Sequence, residues 1–578
     1  MNHRWVLRDV PSLDAVRTLA QQLNDLPDAL TRALILRGVD TLDRARSFFR
    51  PALTHLHDPL LMADMETAAA RIGRAMDDAE RIVVYGDYDV DGTTATALLV
   101  QSLRDLGGDV GFFVPDRFGD GYGLSRSGLD CADGLGADLV VSVDCGVTAL
   151  EEARLAREMG IDLIVCDHHT PKPELPEAAA VLCSKRPDCS YPFKELCGCA
   201  VAYKLLQGVL RERGASPVIA DAYLDLVAIA TASDIVPVHG ENRVLLAYGL
   251  ERIREDPRHG IRALAEAAGL DLATCTARDV LFAIGPRINA AGRLGSAETA
   301  VELLLSNEPG EAHRLAAQLE TLNRRRRALD EDTRTAATAL AERQLTSRMR
   351  HSVVLHQDGW HLGVIGIVAS RLVDRFHKPT ILLGTNNGVA TGSARSIAGI
   401  NVYDALLQCE DLFLEFGGHA AAAGISLEIE NVPALQARFD EAIGDVVTPE
   451  VLQPAMHVDA RLVLDEIDRR FWAVLKQFAP FGPANDRPVF QSDDLHLSRR
   501  ARRVGRNDAH LKFTVCHNGS APREVIGFGL GEKYDLLERS WRDGVPVDIL
   551  YSLDENTWNG RTTLQLNARD LRLAESVA

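Results

Sequence analysis

The sequence predicts an α/β protein in which a parallel-sheet domain is joined by a long helix to a smaller α/β domain, followed by a C-terminal OB-type β-barrel. Three patterns support this prediction. Near-continuous apolar runs ending in acidic residues recur early in the chain, as in strands buried on both faces of a parallel sheet. A three–four apolar spacing runs from Pro309 to Leu345. Short strand patterns separated by turns fill the chain after about residue 450.

The length of 578 residues suits three or four domains, each with its own core. We predict a first domain over residues 1–305 that includes a helical N-terminal segment, a connecting long helix over 306–346, a second α/β domain over 347–448 and the barrel over 449–578. No segment approaches the roughly 20 apolar residues of a membrane span, and the start has no apolar stretch of signal length. We therefore expect a cytoplasmic protein with no membrane partner.

The net charge of −19 argues at first against a nucleic-acid partner, because such proteins usually carry a basic surface. The excess of acidic residues lies before Val451, since the remainder has 18 basic and 18 acidic residues. Part of the early excess consists of the candidate metal ligands themselves. A nucleic-acid substrate therefore stays compatible with the composition.

Three aspartates at alternate positions, Asp87, Asp89 and Asp91, directly follow the apolar run Ile82 to Tyr85. In extended chain this spacing points all three carboxylates to one side, where they repel one another unless a cation lies between them. The same residues also begin like an EF-hand calcium loop, but position twelve is Leu98 rather than glutamate, and the preceding segment is strand-like. A solvated acidic turn is the remaining alternative for this segment alone.

Matching acidic residues follow three further apolar runs, which we read as strands. Residues 137–143 lead to Asp144, residues 161–166 lead to Asp167, His168 and His169, and Leu226 to Ser233 leads to Asp234. In open parallel sheets the ligand site lies beyond the carboxyl ends of the strands. All four acidic clusters should therefore gather at one edge.

One imidazole among several carboxylates is a hard, oxygen-rich ligand set that favours Mn²⁺ or Mg²⁺ over zinc. Five or more carboxylates exceed the needs of one ion and fit two divalent ions roughly 3.5–4 Å apart. Such a pair suits attack of water on phosphorus. The expected chemistry is phosphoester hydrolysis.

The ten cysteines form no Cys-x-x-Cys pair and are most simply reduced thiols. Four of them lie close together at spacings unlike zinc ribbons or knuckles: Cys183, Cys189, Cys197 and Cys199. A zinc site there is the less favoured alternative.

The order Asp-x-Asp-x-Asp-Gly, Val-Asp-Cys-Gly, Asp-His-His and Ala-Ser-Asp-Ile-Val-Pro resembles the DHH phosphoesterase superfamily, and within it the bacterial single-strand-specific DNA exonucleases. The resemblance covers nearly the whole chain, through Arg-Ile-Asn-Ala-Ala-Gly-Arg from Arg287, the motif Gly-Ser-Ala-Arg-Ser from Gly392 and Phe-Gly-Gly-His from Phe416. It implies that the first domain is a DHH domain and the second a DHH-associated domain.

The resemblance also implies ligand roles. Asp89 would bind one ion and Asp91 the other, with Asp144 bridging both. His168 and Asp234 would complete the second ion's shell, and Asp87 the first. Asp167 would either bind metal or orient an imidazole, and His169 would contact metal-bound water or the scissile phosphate, or act as a general acid; with Asp144 these form the predicted catalytic set.

Substrate contacts are predicted in three regions. Gly417, Gly418 and His419 read as a turn at a helix start, where free N–H groups favour phosphate. The resemblance adds Ser393 and Arg395 in the same domain, and Arg117, Arg287, Asn289 and Arg293 as contacts to a 5′ phosphate or the adjoining backbone. In the barrel, charge and a possible stacking ring predict a single-strand contact surface formed by Arg499, Arg500, Arg502, Arg503, Arg506, Lys512 and Phe513.

We therefore expect a monomeric two-metal exonuclease that degrades single-stranded DNA from the 5′ end to mononucleotides in DNA repair and recombination. The resemblance implies single-strand-binding protein and a RecQ-type helicase as partners. One alternative is a relative acting on short oligoribonucleotides or cyclic dinucleotides. Another is a non-catalytic single-strand-binding scaffold at replication forks.

Overall fold

The computed structural model describes residues 3–347, 350–517, 520–558 and 561–574. Its residues group into two compact units. One contains the segment up to Leu56, Pro237–Val244 and the segment from Ala455, and the other contains His57–Val236 and Leu245–Pro454.

The strands of the described chain, in order, are β1 (Arg4–Leu7), β2 (Arg81–Tyr85), β3 (Asp109–Phe113), β4 (Leu139–Val143), β5 (Asp162–Cys166), β6 (Ala180–Leu182), β7 (Val353–His356), β8 (Thr380–Asn386), β9 (Val389–Arg395), β10 (Phe413–His419), β11 (Ala422–Glu428), β12 (Ala455–Val458), β13 (Ala460–Arg461), β14 (Phe490–Val504), β15 (His510–Cys516), β16 (Arg523–Gly527), β17 (Val547–Trp558) and β18 (Arg561–Leu573).

The α-helices are α1 (Leu13–Gln22), α2 (Asp28–Ile35), α3 (Leu42–Phe49), α4 (Met65–Asp77), α5 (Val90–Asp105), α6 (Arg126–Gly134), α7 (Leu150–Glu158), α8 (Gly198–Glu212), α9 (Leu224–Ser233), α10 (Gly240–Glu255), α11 (His259–Ala268), α12 (Ala277–Asp279), α13 (Gly285–Leu294), α14 (Glu298–Leu305), α15 (Pro309–Ser347), α16 (Leu362–Phe376), α17 (Val402–Leu407), α18 (Val432–Val446), α19 (Pro449–Leu452), α20 (Arg469–Lys476) and α21 (Tyr534–Asp543). No helix in these ranges is long and apolar enough to cross a membrane.

The larger unit is built on a five-stranded parallel sheet with the order β3-β2-β4-β5-β6. Strands β2 and β4 are buried because helices cover both faces, which explains their uninterrupted apolar sequences. The chain leaves β2 toward β3 on one side and resumes with β4 on the other. The carboxyl ends of β2 and β4 therefore flank a topological switch point, where ligands bind in sheets of this kind.

The apolar run before Asp234 is a helix, so the prediction of a strand there was wrong. Helix α9 is buried from Leu224 to Ala232, with no polar face to set a helical period. A short run that is apolar on every side does not distinguish a buried strand from a buried helix. Asp234 still follows directly, as the C-terminal cap of α9.

The predicted long helix is present as α15, which is 39 residues long. It leads to a second sheet with the order β10-β11-β9-β8-β7, in which only β7 and β8 are parallel. Gly417, Gly418 and His419 end strand β10 of an antiparallel hairpin with β11, which corrects the predicted helix start. The small residues are explained by close strand contact, since a Cβ on Gly418 would lie 2.4 Å from the carbonyl oxygen of Ala422.

In the other unit, β14 to β18 form a closed barrel because the long strand β14 pairs with β15 through its second half and with β17 through its first. Helix α21 connects β16 to β17. This is the predicted OB-type barrel.

The N-terminal helices belong with this barrel, which differs from the predicted first-domain boundary. Strand β1 pairs with β12 in parallel, and Leu30, Leu34 and Phe48 share one core with Phe478 and Phe490. Such pairing between distant segments leaves no local sequence signal.

Candidate metal centre and substrate surface

The three alternating aspartates occupy the turn from β2 into α5. Asp89 caps α5, its Oδ1 accepting hydrogen bonds from the amide nitrogens of Asp91 (2.9 Å) and Gly92 (3.1 Å). A Cβ on Gly92 would lie 2.5 Å from the carbonyl oxygen of Asp87. Glycine is therefore required for this turn to bring the carboxylates together.

Asp91 is fixed by the N-terminus of α8. Its two carboxylate oxygens accept hydrogen bonds from the amide nitrogens of Gly198 (2.6 Å) and Cys199 (2.7 Å). The N-terminal end of a helix favours negative charge through free N–H groups and the helix dipole. The helix thereby holds a buried anion 107 residues away in sequence.

Asp144 follows β4 with a left-handed backbone, φ 61°. Its Oδ1 lies 3.2 Å from Nε2 of His168. A Cβ on Gly198 would lie 2.7 Å from that same oxygen. Asp144 is thus confined between the two candidate ligand groups by a glycine that the motifs did not single out.

Two groups of three side chains each offer ligand atoms within 4.8 Å of one another: Asp87, Asp89 and Asp144, and Asp91, His168 and Asp234. In the second group, Nε2 of His168 lies 3.8 Å from Asp91 Oδ2 and 3.7 Å from Asp234 Oδ2. A third, overlapping group joins Asp144, His168 and His169. The structure therefore brings all six predicted metal-binding residues together.

Several of these atoms are buried without a hydrogen-bond partner among the described residues: Asp87 Oδ1, Asp144 Oδ1, Asp234 Oδ2 and His168 Nε2. An unsatisfied buried polar atom costs about 1–3 kcal/mol, more when charged. Divalent cations would satisfy all four atoms, and carboxylate oxygens with one imidazole suit Mn²⁺ or Mg²⁺. The donor set fits two such ions.

Without cations, the cluster favours protonated carboxyl groups. Burial and the charge of Asp89 raise the pKa of Asp87 to about 8 and that of Asp91 to about 7. Burial and the charge of Asp91 raise the pKa of Asp234 to about 9 and that of Asp144 well above its usual range. Burial lowers the pKa of His168 to about 3, which keeps it in the neutral, metal-binding form.

Metal binding should therefore release protons and strengthen as pH rises, because bound carboxylates must ionise. Raised folded-state pKa values stabilise the metal-free protein at low pH, and this stabilisation is lost as pH rises through about 7 to 9. We expect the Tm gain from a fixed Mn²⁺ concentration to be larger at pH 8 than at pH 6.5, by about 3 °C or more.

Calorimetry in two buffers of different ionisation enthalpy should detect about three protons released per protein at pH 7, because four carboxyl groups with raised pKa values must ionise. Asp109→Asn, at the opposite edge of the sheet, serves as a control that should leave both quantities unchanged. A Tm gain independent of pH would contradict the prediction.

Asp167 accepts four hydrogen bonds rather than facing the other carboxylates. Its donors are the amides of Val147 (2.9 Å), His168 (2.7 Å) and His169 (3.1 Å), and Nδ1 of His169 (2.8 Å). Burial alone would raise the pKa of Asp167, but the hydrogen bond and charge of His169 lower it to about 2. Asp167 thus positions His169.

His169 is held between Asp167 and Tyr122, whose hydroxyl lies 3.2 Å from Nε2. Burial would lower the pKa of His169, but Asp167 outweighs it and the pKa is raised. Asp167 thus favours the protonated form of the His169 imidazole. Tyr122 was not predicted; a tyrosine among the glycines of residues 119–123 was the available signal.

Of the four predicted phosphate contacts in the first domain, two lie beside the carboxylates. Arg117 stacks over the ring of Tyr88 at 4.2 Å, and the charge of Asp89 acts on the guanidinium of Arg293. Arg293 also donates a hydrogen bond to the carbonyl oxygen of Gly363 in the second α/β domain (3.0 Å). Both cations therefore border the entrance to the metal centre.

Arg287 is directed elsewhere. Arg287 is 5% exposed and forms an ion pair with Glu320 of α15 at 2.8 Å, which corrects the predicted phosphate contact. Its guanidinium faces a neighbouring helix because it lies on a different face of α13 from Arg293. Asn289 lies four residues before Arg293, on the same face of α13, and is half-buried.

In the second α/β domain, the strand register places the predicted substrate contacts side by side on neighbouring strands. Ser393 and Gly417 both pair with Gly424, and Arg395 and His419 both pair with Ala422. Residues two apart on a strand share one face, so the hydroxyl, guanidinium and imidazole are presented together. Arg395 also donates to the hydroxyl of Ser393.

On the barrel, the predicted arginines lie along β14 rather than in a loop, apart from Arg506 in the turn after it. Arg499 and Arg502 are exposed, whereas Arg500 forms an ion pair with Glu538 and Arg503 lies over Tyr534. Lys512 is 3.4 Å from Glu524.

Phe513 is 3% exposed in the barrel core, so the prediction of a stacking ring there was wrong. Alternation along β15 points position 513 inward with Leu511 and Val515. An exposed ring nearby is Phe528, which is 59% exposed and edge-to-face with His510 at 5.2 Å. Because His510 pairs with Val504, this ring lies at the end of the basic strand.

Comparisons with known protein families cover most of the chain. The DHH family N-terminal domain matches residues 81–231, the DHHA1 domain residues 346–445 and the RecJ OB domain residues 458–570. The single-stranded-DNA-specific exonuclease RecJ of Bacillus subtilis is 38% identical over 574 residues, covering 99% of this chain and 71% of that protein. The Escherichia coli protein of the same name is 37% identical, covering 94% and 95%.

Solved structures of proteins with the same name are similar to this chain over nearly its whole length. Crystal structures of RecJ from Thermus thermophilus in complex with Mn²⁺ and with Mg²⁺ superpose with TM-scores of 0.81 and 0.76 at 32% and 31% identity. Each covers 99% of this chain, and this chain covers 80% and 79% of them.

Proposed function

The chain belongs to the RecJ family of single-stranded-DNA-specific exonucleases within the DHH superfamily, and from this membership we propose that it hydrolyses single-stranded DNA from the 5′ end to 5′-mononucleotides. It is a two-metal exonuclease that uses Mn²⁺ or Mg²⁺. The observation that carries the proposal is the pair of ligand groups meeting at Asp144 across the switch point.

We assign Asp87, Asp89 and Asp144 to one ion and Asp91, His168, Asp234 and Asp144 to the other. Two divalent ions supply a nucleophile at neutral pH and offset charge on the attacking and leaving oxygens of an in-line displacement. Asp144 sets the spacing of the two groups because Gly198 and the strand end confine it. The N-terminus of α8 favours the ionised form of Asp91 and holds its carboxylate in place.

His169 is proposed to hold a proton against the reacting phosphate. Asp167 fixes the ring through Nδ1, so Nε2 is directed toward Tyr122 and the site. A cationic imidazole there stabilises negative charge on the phosphate and can donate a proton to the leaving oxygen. This arrangement gives Asp167 a positioning role.

We propose that side chains from both α/β domains hold the backbone of the DNA strand. Arg117 and Arg293 border the first-domain side, and Ser393, Arg395 and His419 share one sheet face on the other. A guanidinium binds phosphate through its planar donors. Phe118 and His361, whose rings lie 5.8 Å apart, connect the two sides. A passage lined by cationic side chains on both sides suits a single strand of DNA.

End-labelled oligonucleotides test the direction. With Mn²⁺, a 5′-³²P-labelled single strand should release labelled mononucleotide at once, whereas a 3′-labelled strand should shorten progressively. Duplex of the same sequence should be resistant. Mononucleotide release from the 3′ label first, or faster turnover of a trinucleotide than of a long strand, would refute the proposal.

The barrel is proposed to bind the strand through Arg499, Arg502 and Phe528. Base–aromatic stacking is worth about 1–3 kcal/mol per base, so Phe528→Ala should weaken single-strand affinity by about tenfold. Fluorescence anisotropy in an inactive Asp144→Asn background measures this. Trp541→Ala, which removes another exposed ring of this unit, should change affinity less than twofold; equal losses in both variants would contradict the assignment.

We further propose a cytoplasmic monomer acting in DNA repair and recombination with single-strand-binding protein and a RecQ-type helicase. A helicase and a single-strand-binding protein suit this enzyme because its substrate must be exposed as single strand before hydrolysis. Mass photometry at nanomolar concentration should give the 63.0 kDa monomer. A stable dimer would refute the monomer proposal.

A further inference from the structure

Helix α9 ends in an unusual way beside the metal centre. Asp234 is its C-terminal cap, and the next residue, Ile235, has a left-handed backbone with φ 61°. Helices commonly end with one left-handed residue, which is usually glycine because it has no Cβ to clash with the backbone. At Ile235 this position is filled by a β-branched residue, for which positive φ is a genuine outlier.

The other non-glycine residues with positive φ in the described chain are Asn, Asp, Ala and His. Asparagine and aspartate tolerate this conformation through local hydrogen bonds. Ile235 is therefore the residue of this group least suited to its backbone. Strain of this kind persists only where the surrounding structure enforces it, and strained residues cluster at active sites and ligand clamps.

Packing within the protein does not account for the isoleucine. Its side chain is 71% exposed, whereas the following Val236 is 8% exposed. A single exposed apolar residue is ordinary by itself. An exposed apolar residue that also has an unfavourable backbone conformation is unusual, because the side chain gains little burial to offset the steric cost.

The position of Ile235 suggests what it contacts. Within the second ligand group, Asp234 is the residue most exposed to solvent. Its side chain is 23% exposed, against 1% for Asp91 and 9% for His168. The Cα atoms of Asp234 and Ile235 are adjacent, about 3.8 Å apart. The exposed isoleucine therefore lies next to the open side of this ligand group, where a nucleotide would be placed if its phosphate were bound there.

We propose that Ile235 is a positioning residue that packs against the nucleobase next to the scissile phosphate. This inference rests on the proposed function and deepens it. An aliphatic side chain against a base face is indifferent to base identity, as degradation of any sequence requires. The steric cost at α9 is thus retained for a contact formed only with substrate.

The test compares Ile235→Asn, which suits the left-handed backbone but removes the apolar surface, with Ile235→Leu, which keeps that surface. For Ile235→Asn we expect Tm to rise by about 1–3 °C, Mn²⁺ affinity to stay within twofold, and KM for a 5′-phosphorylated strand to rise about 5- to 30-fold with a smaller change in kcat. Ile235→Leu should keep KM within about twofold of wild type.

Substrates with an abasic site at the first or second nucleotide locate the contact. Wild-type KM should rise on one of them, and Ile235→Asn should show no further rise on that substrate. The inference is overturned if Ile235→Asn leaves KM unchanged, lowers Tm by several degrees or loses Mn²⁺ affinity, or if its loss adds fully to that of the abasic site. Failure of the wild type to degrade single strands would instead refute the proposed function.

Discussion

Asp144→Asn should reduce kcat for mononucleotide release by about 10³-fold or more, the largest effect we expect from any single change in this chain. Asp144 is 3% exposed, and its Oδ1 is within 3.2 Å of His168 while the residue also belongs to the group of Asp87 and Asp89. An amide keeps the shape but puts a neutral group where the anion would be shared between the two proposed ligand groups. Both ions should lose affinity together.

Single-turnover release from a 5′-labelled strand at saturating Mn²⁺ measures the effect, and circular dichroism checks the fold. The matched control is Asp109→Asn, the same change at the amino end of β3, where the carboxylate is 60% exposed and paired with Arg81. Its activity should stay within twofold of wild type. Activity of Asp144→Asn within tenfold of wild type would exclude the bridging role.

Arg243→Met should destabilise the unit that contains the barrel by about 3–5 kcal/mol, the largest stability effect we expect. Arg243 is 3% exposed and donates hydrogen bonds to five backbone carbonyls, those of Phe48, Gln477, Phe478, Ala479 and Pro480, at 2.9 to 3.4 Å. Its guanidinium also lies 3.8 Å from the ring of Phe48. Methionine fills similar space but leaves these acceptors unsatisfied.

Differential scanning calorimetry should show one transition lowered by about 6–15 °C. Arg243→Lys should recover only part of the loss, because an ammonium lacks the planar fork that reaches several carbonyls. The control is Arg17→Met in the same unit, whose side chain is 70% exposed in a surface pair. Equal Tm values for Arg243→Met and Arg17→Met would contradict this account.

The metal centre was accessible from sequence because its ligands sit at a place that topology dictates. Carboxylates after buried apolar strands must collect at one sheet edge, so Asp87 and Asp144 could be placed before the structure was known. Asp234 was placed correctly for a wrong reason, since α9 and a buried strand look alike in sequence. Its ligand position depends only on where the apolar segment ends.

The remaining errors have two different causes. The inward position of Phe513 was readable from the sequence, because Leu511, Phe513 and Val515 alternate with polar residues along β15, whereas the exposed Phe528 lies in the turn after β16. Arg287 was attributed to the site by its motif, whereas its partner Glu320 is on another helix. A distant ion partner leaves no local pattern.

The pairing of β1 with β12 has a consequence during synthesis. The N-terminal helices carry apolar residues such as Leu30 and Leu34, whose core partners include Phe478 and Phe490. At typical translation rates of 5–20 residues per second, about 20–90 s separate the emergence of β1 from that of β12. This segment is made long before its core partners and is therefore among the last to find its place, so it needs protection from aggregation throughout that interval.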